Sequence, residues 1–280
     1  MDGAEEAIHN EQETQVVQEG YAGAEGAAHG EGISVVLAPE QLGTFWDIPM
    51  TNTLIMSWVV MILLIVIAVF VGKRLTFIPS RIQLLFEWLV EFVYDYIADT
   101  LGSRDLARKF FPYLCTIFLF VFTANLIEFT PGIGHSLGFF RGDEFVPLLR
   151  SVNTDLNVTL MLAILSFLVI EITGILVIGF FKYSGKFINF SGGAIGFIVG
   201  IIELFSEVAR IVAFSFRLFG NIFAGEVLIL VVTYFIPYGG PVPVMMFELF
   251  VGFVQAAIFA LLTLFFIKLA IMEPHGEAAH

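Results

Sequence analysis

The chain has 280 residues, of which 58% are hydrophobic, only 14% are charged and 32 are Phe, with a mean hydropathy of +0.90. Soluble domains carry about 45–50% apolar and about 25% charged residues, so these values exclude an ordinary water-soluble globular protein and indicate a polytopic membrane protein. The formal net charge of −13 is unevenly spread: ten of the 26 acids lie in the first 47 residues, where there is no Lys or Arg.

Residues 1–45, rich in Glu, Gly and Ala, read as an acidic, disordered or loosely ordered tail, separate from a membrane domain over 46–280. The opening Met-Asp-Gly-Ala-Glu-Glu has no basic region and no apolar core, so it is expected to be neither a signal nor a transit peptide. The first span is Thr53 to Val71, uncharged, long enough to cross roughly 30 Å of hydrocarbon and closed by Lys73 and Arg74.

Arg81 to Leu101 differs. Glu87, Glu91, Asp95 and Asp99 recur every four residues along one stripe, and Leu84, Leu85, Trp88, Leu89, Phe92, Val93 and Tyr96 fill the other side. This is the pattern of an amphipathic helix lying on the membrane surface, its acidic stripe either a solvated face or a docking site for a partner's basic residues. A second span runs from Phe110 to Ile127 and a third from Leu156 to Phe181, ending at Lys182. Two longer apolar stretches follow, Ile195–Phe235 and Val244–Met272, separated by the turn Pro237-Tyr238-Gly239-Gly240-Pro241.

The fold expected is therefore all-α and integral to the membrane, with about five crossing helices and one interfacial helix. Lys73, Arg74, Arg81, Arg104, Arg108 and Lys109 lie between spans one and two, against only Arg141 and Arg150 in the next loop. The positive-inside rule then puts the N-terminus outside and the C-terminus inside. As helices, the last two stretches would be roughly 60 Å and 44 Å long, against roughly 30 Å of hydrocarbon. Either they are broken or they are steeply tilted; two tilted neighbours would form a slanted wall able to wrap a cylindrical partner.

Cys115 is the single cysteine, which excludes an internal disulfide and a multi-Cys metal site; it reads as a small apolar residue in a helix. His9, His29, His135, His275 and His280 all lie outside the apolar spans, which disfavours a haem-binding respiratory subunit. No metal site or cofactor is expected, no Walker-type loop is present to bind a nucleotide, and no nucleic acid is an expected partner.

The last two stretches carry the membrane-embedded charges. Arg217 lies near the middle of Ile195–Phe235, where a charge costs roughly 2.5–3.5 kcal/mol by insertion scales. It stays protonated at any ordinary pH, so it is a fixed positive charge and no proton carrier. At 100° per residue, Arg210 falls about 20° and Glu203 about 40° from it, with Asn221 on the same face and Glu226 on nearly the opposite side. Glu248 and Gln255, seven apart, share a face of the last helix. With the topology above, Glu203 and Glu207 lie toward the inside, Arg217 near the middle, and Glu226 and Glu248 toward the outside. Acids on both sides of one fixed charge suit two offset half-channels separated by an electrostatic barrier. Blander readings stand beside this one. Arg217 alone would also fit a structural ion pair, and Arg210 would be satisfied by Glu203 or Glu207. Glu207 and Glu171 read as structural or local to this protein, and Asp155 and Asn157 as helix caps.

Arg217-Leu218-Phe219-Gly220-Asn221-Ile222-Phe223-Ala224-Gly225-Glu226 resembles the signature of subunit a of F-type ATP synthases. Asn153-Thr154-Asp155-Leu156-Asn157-Val158-Thr159-Leu160, Asn125-Leu126-Ile127-Glu128 and Gln255-Ala256-Ala257-Ile258-Phe259 resemble further motifs of that family, in the same order. The resemblance covers roughly residues 45–272 and implies a proton-translocating stator subunit, non-catalytic on its own; the lack of a transit peptide is what points to a bacterial inner membrane. Implied partners are a ring of c subunits, whose carboxylates would meet Arg217, and the b subunits of a peripheral stalk. The outer half-channel would map to Glu226, Glu248, Asn221 and Gln255, with Glu128 at its margin; the inner would map to Glu203, and Asn125 is a further candidate with no half-channel assigned. Residues 195–272 would be the ion-path helix pair. Two positions depart from the family pattern: Arg210-Ile211 stands where a Lys/Gln-Pro pair is frequent, and Ala213 where a small polar residue is. The resemblance implies no role for Glu171. The rival reading, a stand-alone proton channel or secondary transporter, calls for paired inverted repeats, and the chain has no second copy of the 195–272 pattern.

Overall fold

The computed structural model describes residues 41–45, 48–73, 81–130, 138–141, 144–147, 150–184 and 193–272. The expected acidic tail, apart from its last five residues, lies outside them, as do Arg74, Lys186 and all five histidines. Two short antiparallel hairpins accompany the helices. Strand β1 (Gln41–Phe45) pairs with β2 (Ile48–Thr51), and β3 (Gly138–Arg141) with β4 (Glu144–Pro147). The first hairpin begins inside the segment expected to be loosely ordered.

Helix α1 (Asn52–Lys73) follows β2 directly, its start fixed by side chains. The Thr51 hydroxyl accepts from Leu54 N–H, and the Thr53 hydroxyl donates to Asp155 at 2.9 Å. Helix α2 (Arg81–Leu101) has the bounds its acidic stripe predicts. Its Leu84, Phe86, Trp88, Leu89 and Phe92 are exposed, whereas Ile97, Ala98 and Leu101 are buried in the bundle. Helix α3 (Arg104–Phe129) begins six residues before the expected Phe110. Ser103 caps it by accepting from Leu106 N–H, and Asp105 complements the first-turn dipole. The helix carries Pro112 inside, at the cost of one ladder hydrogen bond.

Helix α4 (Leu156–Ile178) is capped by Asp155, which accepts from Asn157 N–H. It stops short of the expected Phe181 because Gly179 takes φ +95°, open to glycine and strained for other residues; a short helix α5 (Phe180–Ser184) follows. The two long stretches are continuous helices, α6 (Gly193–Phe235) of 43 residues and α7 (Pro241–Ile271) of 31, so the broken alternative is not the one adopted. With Ile211 in place of proline, nothing interrupts the α6 ladder below Arg217.

Among the described residues, five helices are long and apolar enough to cross a membrane: α1, α3, α4, residues 198–235 of α6, and α7. Three apolar clusters hold them. Ile97, Leu114, Ile170 and Ile267 join α2, α3, α4 and α7 at one end. Val121, Ala163, Leu218 and Phe259 join α3, α4, α6 and α7 in the middle. Met56, Val60, Ala124 and Val152 tie α1 to the other end. Helices α3 and α7 pack closely because residue 252 is glycine: a Cβ there would lie 2.8 Å from the Asn125 Cβ. Small residues let backbones approach where burial from water gives no drive between helices.

Candidate ion-path site

Helix α6 has two unlike sides at its midpoint. Phe214, Leu218 and Ile222 are buried in the middle cluster. Arg217 lies on the opposite, exposed side with Ala213, Asn221 and Ala224, its guanidinium carbon 6.0 Å from the Phe214 ring centroid. The charge is thus presented away from this chain's own core, across a face of short side chains. Ser215, between the two sides, is buried and shares a 3.2 Å hydrogen bond with Thr159, which ties α6 to α4 beside the arginine.

Toward the α6–α7 turn lies a buried polar group. Glu226, roughly 14 Å along the axis from Arg217, points to the inward side. Its Oε1 is 3.8 Å from Nε of Arg150, which is 5% exposed. Glu248 of α7 is buried against the same stretch of α6, and Glu128 is buried near the end of α3. Beside them Asn125 donates to the Gly252 carbonyl at 3.1 Å and accepts from Asn153 at 2.6 Å. These bonds fasten α3, α7 and the approach to α4 to one another around the carboxylates.

Gly225 creates the room for Glu248. A Cβ at position 225 would lie 2.5 Å from the Glu248 carboxyl carbon. Gly225→Ala is therefore expected to displace this carboxyl, the free end of a flexible side chain, while leaving the helices packed. The readout is ion transport across vesicle membranes at matched protein levels, expected to fall about threefold, near the 0.5–1.5 kcal/mol of an off-rotamer side chain. Unchanged transport would mean that the placement of Glu248 is immaterial.

The opposite end of α6 carries a second polar group. Glu207 is 2% exposed, and its Oε2 accepts from Arg210 Nη1 at 2.5 Å. The Arg210 guanidinium also lies 4.1 Å from the Phe266 ring centroid, within cation–π range. Helical phase puts Arg210 beside Arg217, yet its long side chain turns into the bundle while Arg217 faces out. Glu203, Glu171 and Gln255 are half-buried.

The residues singled out from the sequence thus fall into three places: Arg217 and Asn221 on the exposed face, Glu226, Glu248, Glu128 and Asn125 at one end, and Glu207 and Arg210 at the other. Arg150 was read from sequence only as a loop charge, although its burial beside Glu226 makes it part of the site. Its nearness to the Asn153-Thr154-Asp155 motif was the available signal. Gly225 sat inside the quoted signature without a role. Asn153 lies in a family-like motif whose sequence gives it no role, and Tyr183 carries no sequence signal, because their partners are distant along the chain.

Residues 54–268 match the family described as ATP synthase A chain. ATP synthase subunit a of a Sulfurihydrogenibium species is 34% identical over 232 residues, which cover 81% of this chain and 100% of the relative. That of Moorella thermoacetica is 29% identical over 229 residues, covering 82% and 94%. The sodium ion specific ATP synthase subunit a of Propionigenium modestum is 33% identical over 243 residues, covering 82% and 78%. With the family match spanning most of the chain and its five apolar helices, the chain belongs to the ATP synthase subunit a family and is an integral membrane protein.

Proposed function

We propose that this chain is the proton-translocating stator subunit of a rotary F-type ATP synthase, and that Arg217 separates two half-channels. The observation that carries the reading is the outward placement of Arg217, with buried carboxylates at one end of its helix and a part-buried ion pair at the other. A fixed charge costs free energy on an apolar face unless a counter-charge meets it there. The counter-charge is a carboxylate on each c subunit of a partner ring, and the short side chains of Ala213 and Ala224 let that ring approach. Helices α6 and α7, longer than the hydrocarbon is thick, lie tilted against it. Peripheral-stalk b subunits and lipid cover other faces, and the acidic tail is a separate segment.

Protons reach the ring from outside past Glu226, Glu248, Asn221 and Gln255, with Glu128 at the margin. A neutralised ring carboxylic acid can enter lipid. After nearly a full turn it meets the inner half-channel near Glu203, and Arg217 favours its ionised form, so the proton leaves inward. The basic residues between α1 and α3 put the N-terminus outside and the C-terminus in the cytoplasm.

Two measurements test this. Purification in mild detergent is expected to give a large complex containing a ring of small subunits; a monodisperse, transport-active monomer would favour the stand-alone channel. Replacing both Glu226 and Glu248 by Gln is expected to slow transport limited from the outer side about tenfold or more, since positioned proton-transfer groups supply large factors. Wild-type rates across outer pH would reduce both residues to packing.

A further inference from the structure

We propose that Asn153 is a positioning residue for the outer proton path: through Asn125 it fixes α7 against α3, and so sets Glu128 and Glu248 at one level on facing helices. The inference rests on the reading that protons reach the ring past these carboxyls.

Residues 150–155, just before α4, are all buried, whereas most connecting segments run over the surface. The segment meets part of its polar demand from within. Asn153 N–H donates to Ser151 Oγ at 3.3 Å, and the Thr154 hydroxyl donates to the Ser151 carbonyl at 3.1 Å. Arg150 before Asn153 is held beside Glu226, and Asp155 after it caps α4 and accepts from Thr53 of α1. Between these two anchors the Asn153 side chain reaches α3. Its Nδ2 donates to Asn125 Oδ1 at 2.6 Å and to the Val121 carbonyl at 3.4 Å. Asn125 Nδ2 in turn donates to the Gly252 carbonyl of α7 at 3.1 Å. A main-chain carbonyl only accepts, so Asn125 turns its nitrogen to Gly252 and its oxygen to Asn153, and the series runs one way.

The last bond sets a level. Leu114 and Ile267 share the cluster at one end of the bundle, and Asn125 meets Gly252 toward the other, so α3 and α7 run antiparallel. Glu128 then lies roughly 4.5 Å beyond Asn125, and Glu248 roughly 6 Å beyond Gly252, toward the same end. Spacings of three and four residues keep each carboxyl on the helix face that makes the contact. Apolar packing is indifferent to small slides and turns of one helix on another, but a hydrogen bond is directional. Glycine at 252 leaves room for it, since a Cβ there would lie 3.2 Å from Asn125 Nδ2. Asn153 Oδ1 and Glu248 Oε2 are buried acceptors with no hydrogen-bond donor among the described residues. Water is the donor that a proton path brings to such atoms. An unmet acceptor is also a cost that a residue kept only to fill volume would not carry.

The test uses the whole complex in inside-out vesicles, whose lumen is the outer side, with ATP synthesis driven by an imposed acid lumen. Asn153→Leu and Asn153→Asp both keep the size and lose the amide donor, one without a charge and one with it. Whichever assembles is expected to slow synthesis about fivefold at matched subunit levels, short of the hundredfold that a 1 Å misplacement can cost. Half-maximal rate is expected at a more acid lumen, because more protons offset a slower uptake. Asn125→Leu is expected to do the same, and its combination with Asn153→Leu to add nothing, since both act through one bond. Wild-type rate and lumen-pH profile in the Asn153 variants would overturn the positioning role, as would losses that multiply in the double variant. A uniform decrease at every lumen pH, or absence of both Asn153 variants from the membrane, would assign Asn153 to packing and overturn it too. The double Glu226→Gln, Glu248→Gln variant, measured in parallel, separates the two levels. If it keeps the wild-type rate, the outer-path reading itself is wrong; if it is slow while the Asn153 variants are normal, only the positioning role is.

Discussion

Arg217→Ala is expected to abolish ATP-driven proton pumping while leaving the complex assembled. The two halves of this expectation have separate causes. Assembly survives because the side chain contributes nothing to the α6 core: Phe214, Leu218 and Ile222 make those contacts from the other side, and Arg217 is exposed among small residues. Truncation opens no internal cavity, so the usual penalty for a large-to-small change does not arise. Pumping is expected to be lost because, in the proposed stator role, Arg217 is the permanent charge on the face that meets the ring. Without it a ring carboxylate has no cation to favour ionisation, and nothing separates the outer path from the inner. Arg217→Lys is expected to lose most activity as well, since an ammonium is more strongly hydrated and lacks the planar fork that pairs with a carboxylate. Quenching of a pH-sensitive dye in inside-out vesicles, beside blotting for the assembled complex, gives both readouts; retained pumping by the Ala variant would refute the role.

Arg150→Ala is expected to act oppositely, on stability first. Both members of the Arg150–Glu226 pair are buried, and removing one partner of a buried pair leaves the other charge uncompensated, at a cost of about 3–5 kcal/mol. The variant should reach the membrane in lower amount, and its purified complex should release the subunit at lower temperature. Adding Glu226→Gln removes the stranded charge and should restore much of the stability but not the transport. A single Arg150→Ala variant as stable as the parent would show that water or other groups already screen Glu226. The two arginines are thus expected to differ: the one in the loop would stabilise this chain, and the one in mid-helix would serve, in the proposed stator, a surface that another subunit completes.

Much of this was legible beforehand. The acidic stripe fixed Arg81–Leu101, because a four-residue spacing of carboxylates with apolar residues between them has one helical solution. The spans could be counted because every backbone polar group in lipid must be satisfied internally, which leaves long apolar helices as the simplest arrangement. Helical phase alone set Glu226 opposite Arg217, and the two do fall on buried and exposed sides. Helix ends were less legible, since they depend on single residues: Ser103 starts α3 early and Gly179 stops α4 early.

The sequence by itself determined the membrane class, the number of apolar helices and the axial order of the charges, since these follow from hydropathy and a fixed rise per residue. Only the tertiary structure decided which charges meet. Arg150 reaches Glu226 across 76 positions, Tyr183 folds back to Glu171 through the break at Gly179, and Gly225 leaves room for a carboxylate on another helix. Side-chain contacts between helices depend on packing distance and rotation about each axis, and neither quantity is carried by any one segment's periodicity.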